Sequence, residues 1–264
     1  MIDVMTPTIR HEGIKIVAKC LERQTFQDFR WIVVDHDYDL NWYYENIPKS
    51  LWGKTVYLKP KVQIPERKYK LWNTRNTAYQ FLERPLVVEI QDYHWFRSDT
   101  LIRFLNMFRS DPNSIVSDYY KIVTFKNYDM AMESDDIEDS DVEIIDATTR
   151  SVFQGLGFKT ALNMTYNLYE MNVSSIPLVL LRELTPADEE MDNGYLSDTQ
   201  YLSIPAMLKN YTILIDGDAK VYSFEHKLIE QRPIGWRTDA EKNQNYLVNR
   251  YGSKISEWEQ GKAA

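Results

Sequence analysis

Residues Leu86–Phe96, LVVEIQDYHWF, decide how the chain folds. The first half, Leu86-Val87-Val88-Glu89-Ile90, is short, apolar and β-branched and follows a proline, which predicts a buried strand. The character then changes at once to Asp92-Tyr93-His94. A strand running into Asp-x-His sets two possible metal ligands at the carboxyl edge of a sheet, where open α/β sheets bind their ligands. If the stretch stays extended, both side chains point the same way, because strand side chains alternate with period two. A polar turn after a core strand is the plainer alternative.

Working outward, the same grammar repeats. Ile2–Met5 reads as an opening strand broken by Thr6-Pro7-Thr8. Gly13 precedes a helix in which Ile14, Val17, Ala18 and Leu21 share a face. Trp31-Ile32-Val33-Val34 is the next strand, and it ends in Asp35-His36-Asp37. Strand, helix, strand with polar residues gathered at strand ends is a βαβ pattern. Val56–Leu58 adds a third strand, Trp72–Leu82 a helix, and Leu101, Phe104, Leu105 and Phe108 line one face of another. Strands are expected again at Thr212–Ile215 and Val221–Phe224, a Pro205-interrupted helix at 198–209, and a polar helix from Asp239. The acid-rich stretch Glu133–Asp146 reads as a solvated loop.

The 264 residues, 44% hydrophobic, suffice for a substantial core. Thirty-nine acids against 31 bases give a formal charge of -8, which weighs against non-specific nucleic-acid binding. The local basic stretch Lys49–Lys70 leaves one alternative open, a groove for DNA whose modified bases would be the acceptor of a transferred sugar. The one cysteine, Cys20, excludes an intramolecular disulfide and a multi-cysteine zinc site, and its helical setting marks it as a core residue. No apolar run is long enough to span a membrane, and the first ten residues do not form a signal peptide, so a cytoplasmic protein is expected.

Several of these segments, in this order, resemble glycosyltransferase family 2, enzymes of the GT-A fold. Thr6-Pro7-Thr8-Ile9-Arg10 is similar to that family's opening TPTYNR, and Gln24–Asp35, QTFQDFRWIVVD, to its Q-T-(Y/F)-x-(D/N)-(F/W)-E-(W/I)-I-V-V-D. Asn73–Ala78 resembles N-x-A-R-N-x-G, and Asn193–Leu202 the late G-x-x-E-D-x-x-L. The likeness spans about residues 2–226. It implies an α/β GT-A fold, Rossmann-like, with a mainly parallel sheet. Residues 1–215 would form the glycosyltransferase domain, with a nucleotide-binding half over 1–98 and an acceptor half over 99–215. A C-terminal strand and helical appendage would occupy 216–264.

The resemblance implies transfer of a sugar from a nucleotide-diphosphate sugar, expected to be a UDP-sugar, to an acceptor hydroxyl on a glycan, a lipid-linked or another molecule, with inversion. It assigns donor binding to Pro7, Thr8, Arg10, Asp35 and Asp37. Arg75 suits the base or phosphates, and Asp92 belongs to the same donor site. Where the family carries Asp-x-Asp, this chain has Gln91-Asp92-Tyr93-His94. A strict alignment puts Gln91 and Tyr93 at the metal positions. Shifted by one, Asp92-x-His94 matches the Asp-x-His of related GT-A enzymes, with His226 as the later third ligand, and that reading is preferred here. Mn²⁺ or Mg²⁺ would suit such mixed ligands and act as a Lewis acid on the leaving diphosphate. Asp198 is then the base, alone because Ser197 replaces the usual Glu, with Glu190 and Asp192 as fallbacks. Two other classes stay in view: a catalytically degenerate GT-A domain that only binds a nucleotide or partner, and a nucleotidyltransferase. The second wants a Gly-rich loop, which Thr6–Glu12 lacks.

Overall fold

The computed structural model describes residues 1–8, 10–61, 71–118, 121–124, 128–147, 155, 158–160, 169, 171–185, 200–224 and 236–263. Eight strands form the main sheet. They are β1 (Ile2–Thr8), β2 (Phe29–Asp35), β3 (Thr55–Leu58), β4 (Leu86–Ile90), β6 (Ser114–Asp118), β9 (Phe158–Thr160), β10 (Val173–Pro177) and β11 (Thr212–Asp216), in the order β3-β2-β1-β4-β10-β6-β11-β9. The half from β3 to β4 is all parallel. β10 lies antiparallel between β4 and β6, and β6 pairs in parallel with β11. A second, four-stranded sheet runs β5-β12-β7-β8, made of β5 (His94–Phe96), β7 (Lys121–Val123), β8 (Ile144–Ala147) and β12 (Val221–Phe224).

Strand alternation divides the interior into two layers. Ile2, Val4, Trp31, Val33, Leu86, Val88 and Ile90 face one side, where they pack with α1 (His11–Glu22), α5 (Thr100–Ser110) and the second sheet. Met5, Ile32, Val34 and Val87 face the other, against α4 (Leu71–Tyr79), α7 (Leu178–Leu184), α8 (Gln200–Leu208) and α9 (Trp236–Ala263). The short α2 (Leu40–Asn46) and α3 (Lys49–Trp52) connect β2 to β3, and α6 (Tyr128–Glu133) follows β7. Asp39 caps α2 by accepting from the backbone of Asn41 and Trp42.

Three expectations change on contact with the structure. First, Thr6-Pro7-Thr8 does not break β1, which continues to Thr8. The Thr8 carbonyl accepts from His36 N, so Thr8 faces β2 and Pro7 faces the opposite way. On that side the ladder with β4 has already ended at Met5 and Glu89, so the proline's missing N–H removes no ladder bond. Second, Asp92–His94 is not extended: Tyr93 has φ 61°, in the left-handed region, and turns the chain between β4 and β5. Third, the acid-rich stretch is solvated, with most of its acids exposed, but it is also tied down. Ile137 is fully buried, Arg23 binds the Ser134 carbonyl, Lys121 pairs with Asp139, and Tyr222 donates to Asp139 Oδ1 at 2.8 Å. Pro205 sits inside α8, where it leaves one intrahelical N–H bond unmade.

The described residues from 216 onward pack within the body of the chain. Asp216 ends β11 in the main sheet, Val221–Phe224 lies between β5 and β7, and Leu247 and Tyr251 of α9 are buried in the same cluster as Tyr201 of α8. Cys20 is buried, and burial pushes its thiol up to about 11, so it is an inert core residue at neutral pH.

Candidate active site

The register of the parallel half builds the site. Thr8 of β1 pairs with Asp35 of β2, and Met5 pairs with Glu89 of β4. Three residues beyond Met5 and Glu89, Thr8 and Asp92 come level at the carboxyl edge. Thr8 Oγ1 donates to Asp92 Oδ2 at 2.6 Å. Arg10 Nε donates to the same oxygen at 2.9 Å, and Arg10 Nη2 pairs with Oδ1. The Arg10 guanidinium also lies over the Tyr93 ring, 4.9 Å from its centroid. Loop and turn thus form one unit, joined by a fork-shaped ion pair with matched planar geometry.

That unit is held from both sides. Tyr93 N donates to the Gly13 carbonyl at 3.3 Å, and Phe224 N donates to the Tyr93 carbonyl at 2.9 Å. Gly13 lies so close that a Cβ there would stand 2.7 Å from both Asp92 Cβ and Tyr93 N. Inside the turn, His94 Nδ1 lies 2.9 Å from the Asp92 carbonyl, which can only accept. Nδ1 therefore carries the proton, and in the neutral ring the lone pair is on Nε2.

A second cluster surrounds Asp35, which is fully buried. Tyr57 Oη donates to its Oδ2 at 2.6 Å, Asp37 N donates to Oδ1 at 2.9 Å, and His11 Nδ1 stands 2.8 Å from Oδ2. Burial raises the Asp35 carboxyl, opposed by the bonds from Tyr57 and Asp37; burial and the Asp35 contact push the Tyr57 phenol up as well. Aromatic rings wall this cluster: His11 stacks on Trp42 at 4.3 Å, and Tyr57 stacks between Tyr38 and Tyr43. His36 reaches across to Thr74 Oγ1 at 2.8 Å.

Of the residues expected from sequence, Thr8, Arg10 and Asp92 are in direct contact, and Asp35 with the exposed Asp37 lies one strand away. Pro7 is buried within β1. Arg75 is fully buried in the layer of α4, bonded to the equally buried Glu89 through Nε at 2.9 Å and Nη2 at 2.7 Å, with Trp72 under its guanidinium. Asp198, His226, Glu190 and Asp192 lie outside the described residues. His11, Trp42 and Tyr57 are participants that the sequence reading did not name.

Two further aspartates share the carboxyl edge. Asp118 ends β6 and Asp216 ends β11, and the two are partners in the ladder. Arg103 grips Asp216 with both arms of its guanidinium. The available signal was the pattern already seen in WIVVD: SIVSD and TILID are also apolar runs closed by an aspartate.

The Asp-x-His metal expectation can be weighed on the donor set. The Asp92 carboxylate already accepts three bonds, two from an arginine, out of about four lone-pair sites. A divalent cation there would meet a guanidinium. Among the described residues no group of three or more His, Cys, Asp or Glu is placed to hold a metal ion. As arranged, the Asp92 carboxylate does not fit a divalent cation beside Arg10, and His226 lies outside the described residues.

No protein-family model matches the chain, and no curated protein does. Solved structures do. TarS 1-349 from S. aureus aligns over 84% of this chain and 60% of its own length, at 16% identity and a TM-score of 0.57. The fold is that of the GT-A glycosyltransferases. A longer TarS structure aligns over 86% of this chain and 37% of its own length, with a TM-score of 0.56. TarS 1-349 in complex with UDP-GlcNAc gives 15% identity and 0.55 over 85% of this chain and 58% of that one. This chain therefore spans about three fifths of TarS 1-349. Among the described residues, no helix is long and apolar enough to cross a membrane.

Proposed function

We propose that this chain is a glycosyltransferase that takes a sugar from a UDP-sugar, bound over the carboxyl ends of β1, β2 and β4, and moves it to an acceptor hydroxyl. The observation that carries the reading is the convergence of Thr8, Arg10, Asp35 and Asp92 on that edge within a GT-A fold. Support also comes from TarS, whose structures in complex with UDP-GlcNAc and UDP share this fold. In this reading the aromatic group around Asp35 flanks the nucleoside and Arg10 lies on the phosphate side. The acceptor oxygen attacks the anomeric carbon, its proton passes to Asp198, and the sugar–phosphate bond breaks with its electrons leaving on UDP. One in-line displacement inverts the anomeric centre.

The binding-only alternative has one observation in its favour: both Asp35 oxygens and both Asp92 oxygens are already engaged within the protein. One experiment separates the readings. The chain is given a panel of UDP-sugars with mixed hydroxyl acceptors, and both melting temperature and UDP release are followed. A UDP-sugar that raises the melting temperature and is consumed with release of UDP supports the transferase. Stabilisation without release supports a binding module, and neither effect with any donor refutes both.

A further inference from the structure

Resting on the donor-site reading above, we infer that Arg10, and not a divalent metal, is the cation that receives the donor's diphosphate, with Asp92 acting to position it. Arg10 is held on its edge and on its face. Its Nε and Nη2 edge is spent on Asp92, and its face lies over Tyr93. Asp92 is in turn fixed by Thr8, and the Asp92–Tyr93 turn by Gly13 and Phe224. The guanidinium therefore has one orientation, set by the loop after β1 and the turn after β4 together.

What remains is the Nη1 corner. It is shut away from solvent and has no hydrogen-bond acceptor among the described residues, although the side chain as a whole is 23% exposed. A charged donor buried without an acceptor is costly, and a phosphate arriving at the exposed part of the guanidinium would remove that cost once the groups covering Nη1 move aside to admit an oxygen. Arginine suits the task because its planar fork can hold a carboxylate on one edge and a phosphate on another. Asp92 alone would repel a diphosphate. Paired with Arg10, it is neutralised and aims the guanidinium. The positive charge that the family draws from a metal is here covalently part of the chain, which accounts for a carboxylate already filled by arginine where a metal ligand is expected.

The test measures binding of inorganic pyrophosphate and of UDP by calorimetry, each with excess EDTA and with Mn²⁺. Wild type should bind both ligands equally well in EDTA and in Mn²⁺. Arg10→Ala should weaken both by roughly 10- to 100-fold, the scale of lost charge-assisted bonds. Arg10→Lys, which keeps the charge and loses the fork, should fall between, and it stands in if the alanine variant melts early. Asp92→Asn should change affinity by the same factor in EDTA and in Mn²⁺, whereas a metal ligand would change only the Mn²⁺ value. Binding that needs Mn²⁺, or survives in both Arg10 variants, overturns the inference and leaves the donor site standing. Arg10-dependent binding of pyrophosphate without binding of UDP upholds the inference and sinks the donor reading. Binding of neither ligand overturns both.

Discussion

Gly13→Ala is a one-atom test of how the site is assembled. The added Cβ would lie 2.6 Å from Tyr93 Cδ2 and 2.7 Å from both Asp92 Cβ and Tyr93 N. Carbon and nitrogen without a bond between them sit at about 3.5 Å, so the gap must widen by nearly an ångström. The Tyr93 ring could swing aside, but the Tyr93 nitrogen is backbone and Asp92 is held by Thr8 and Arg10. Either α1 lifts from the sheet or the turn after β4 retreats. Overpacking of this kind costs about 1–3 kcal/mol, against a helix-propensity gain for alanine of at most about 1 kcal/mol. The net loss should lower the melting temperature by about 2–4 °C per kcal/mol. The stronger signature is in ligand binding: pyrophosphate affinity should fall as well, because the shift pulls Arg10 away from Asp92. Urea denaturation and calorimetry on the same preparation read both effects. A variant as stable as wild type with undiminished binding would show that the close approach of α1 to the turn does not set the geometry.

Three other outcomes are expected. Arg75→Ala strands Glu89 in the core and should cost about 3–5 kcal/mol by urea denaturation, while Arg75→Met with Glu89→Gln should cost clearly less; equal losses would mean that the pair is not the source. Burial raises the Asp35 carboxyl, so the folded chain keeps that proton to a higher pH than the unfolded one. Its contribution is full below the ordinary carboxylate value and is lost as pH rises through the folded value; Asp35→Asn should flatten that part of the urea midpoint against pH, and an unchanged slope would count against it. Asp198→Asn should leave UDP binding intact and cut transfer by roughly 10² or more, with near-normal turnover ruling Asp198 out as base.

Much of the fold was legible because each parallel strand is an apolar run that stops at a polar residue. Trp31–Asp35 and Leu86–Asp92 announce both a strand and the edge where it ends. What the sequence hid was long-range or depended on which way a residue faces. Pro7 reads as a breaker until its side of β1 is known to be past the ladder with β4. Asp92 reads as an open carboxylate until Arg10, far away in sequence, is found on both its oxygens. Arg75 reads as a phosphate contact because nothing in its own helix shows that Glu89, on the core-facing side of β4, claims it. The acid-rich stretch reads as loose because Arg23, Lys121 and Lys220, which pair with its Asp135, Asp139 and Glu138, lie elsewhere in the chain.

The antiparallel strand β10 has a consequence for the order of folding. Residues Ile2–Ile90 complete a four-stranded parallel unit whose outer strand, β4, ends up mid-sheet only when Val173–Pro177 pairs with it. During synthesis from the N-terminus, β4 is an apolar edge with unpaired amides and carbonyls for the whole time that β6 to β9 are being made. Edges of that kind invite pairing with other chains. Refolding yield should therefore drop steeply with protein concentration, and the vulnerable template should be Leu86–Ile90, the same strand that carries the site.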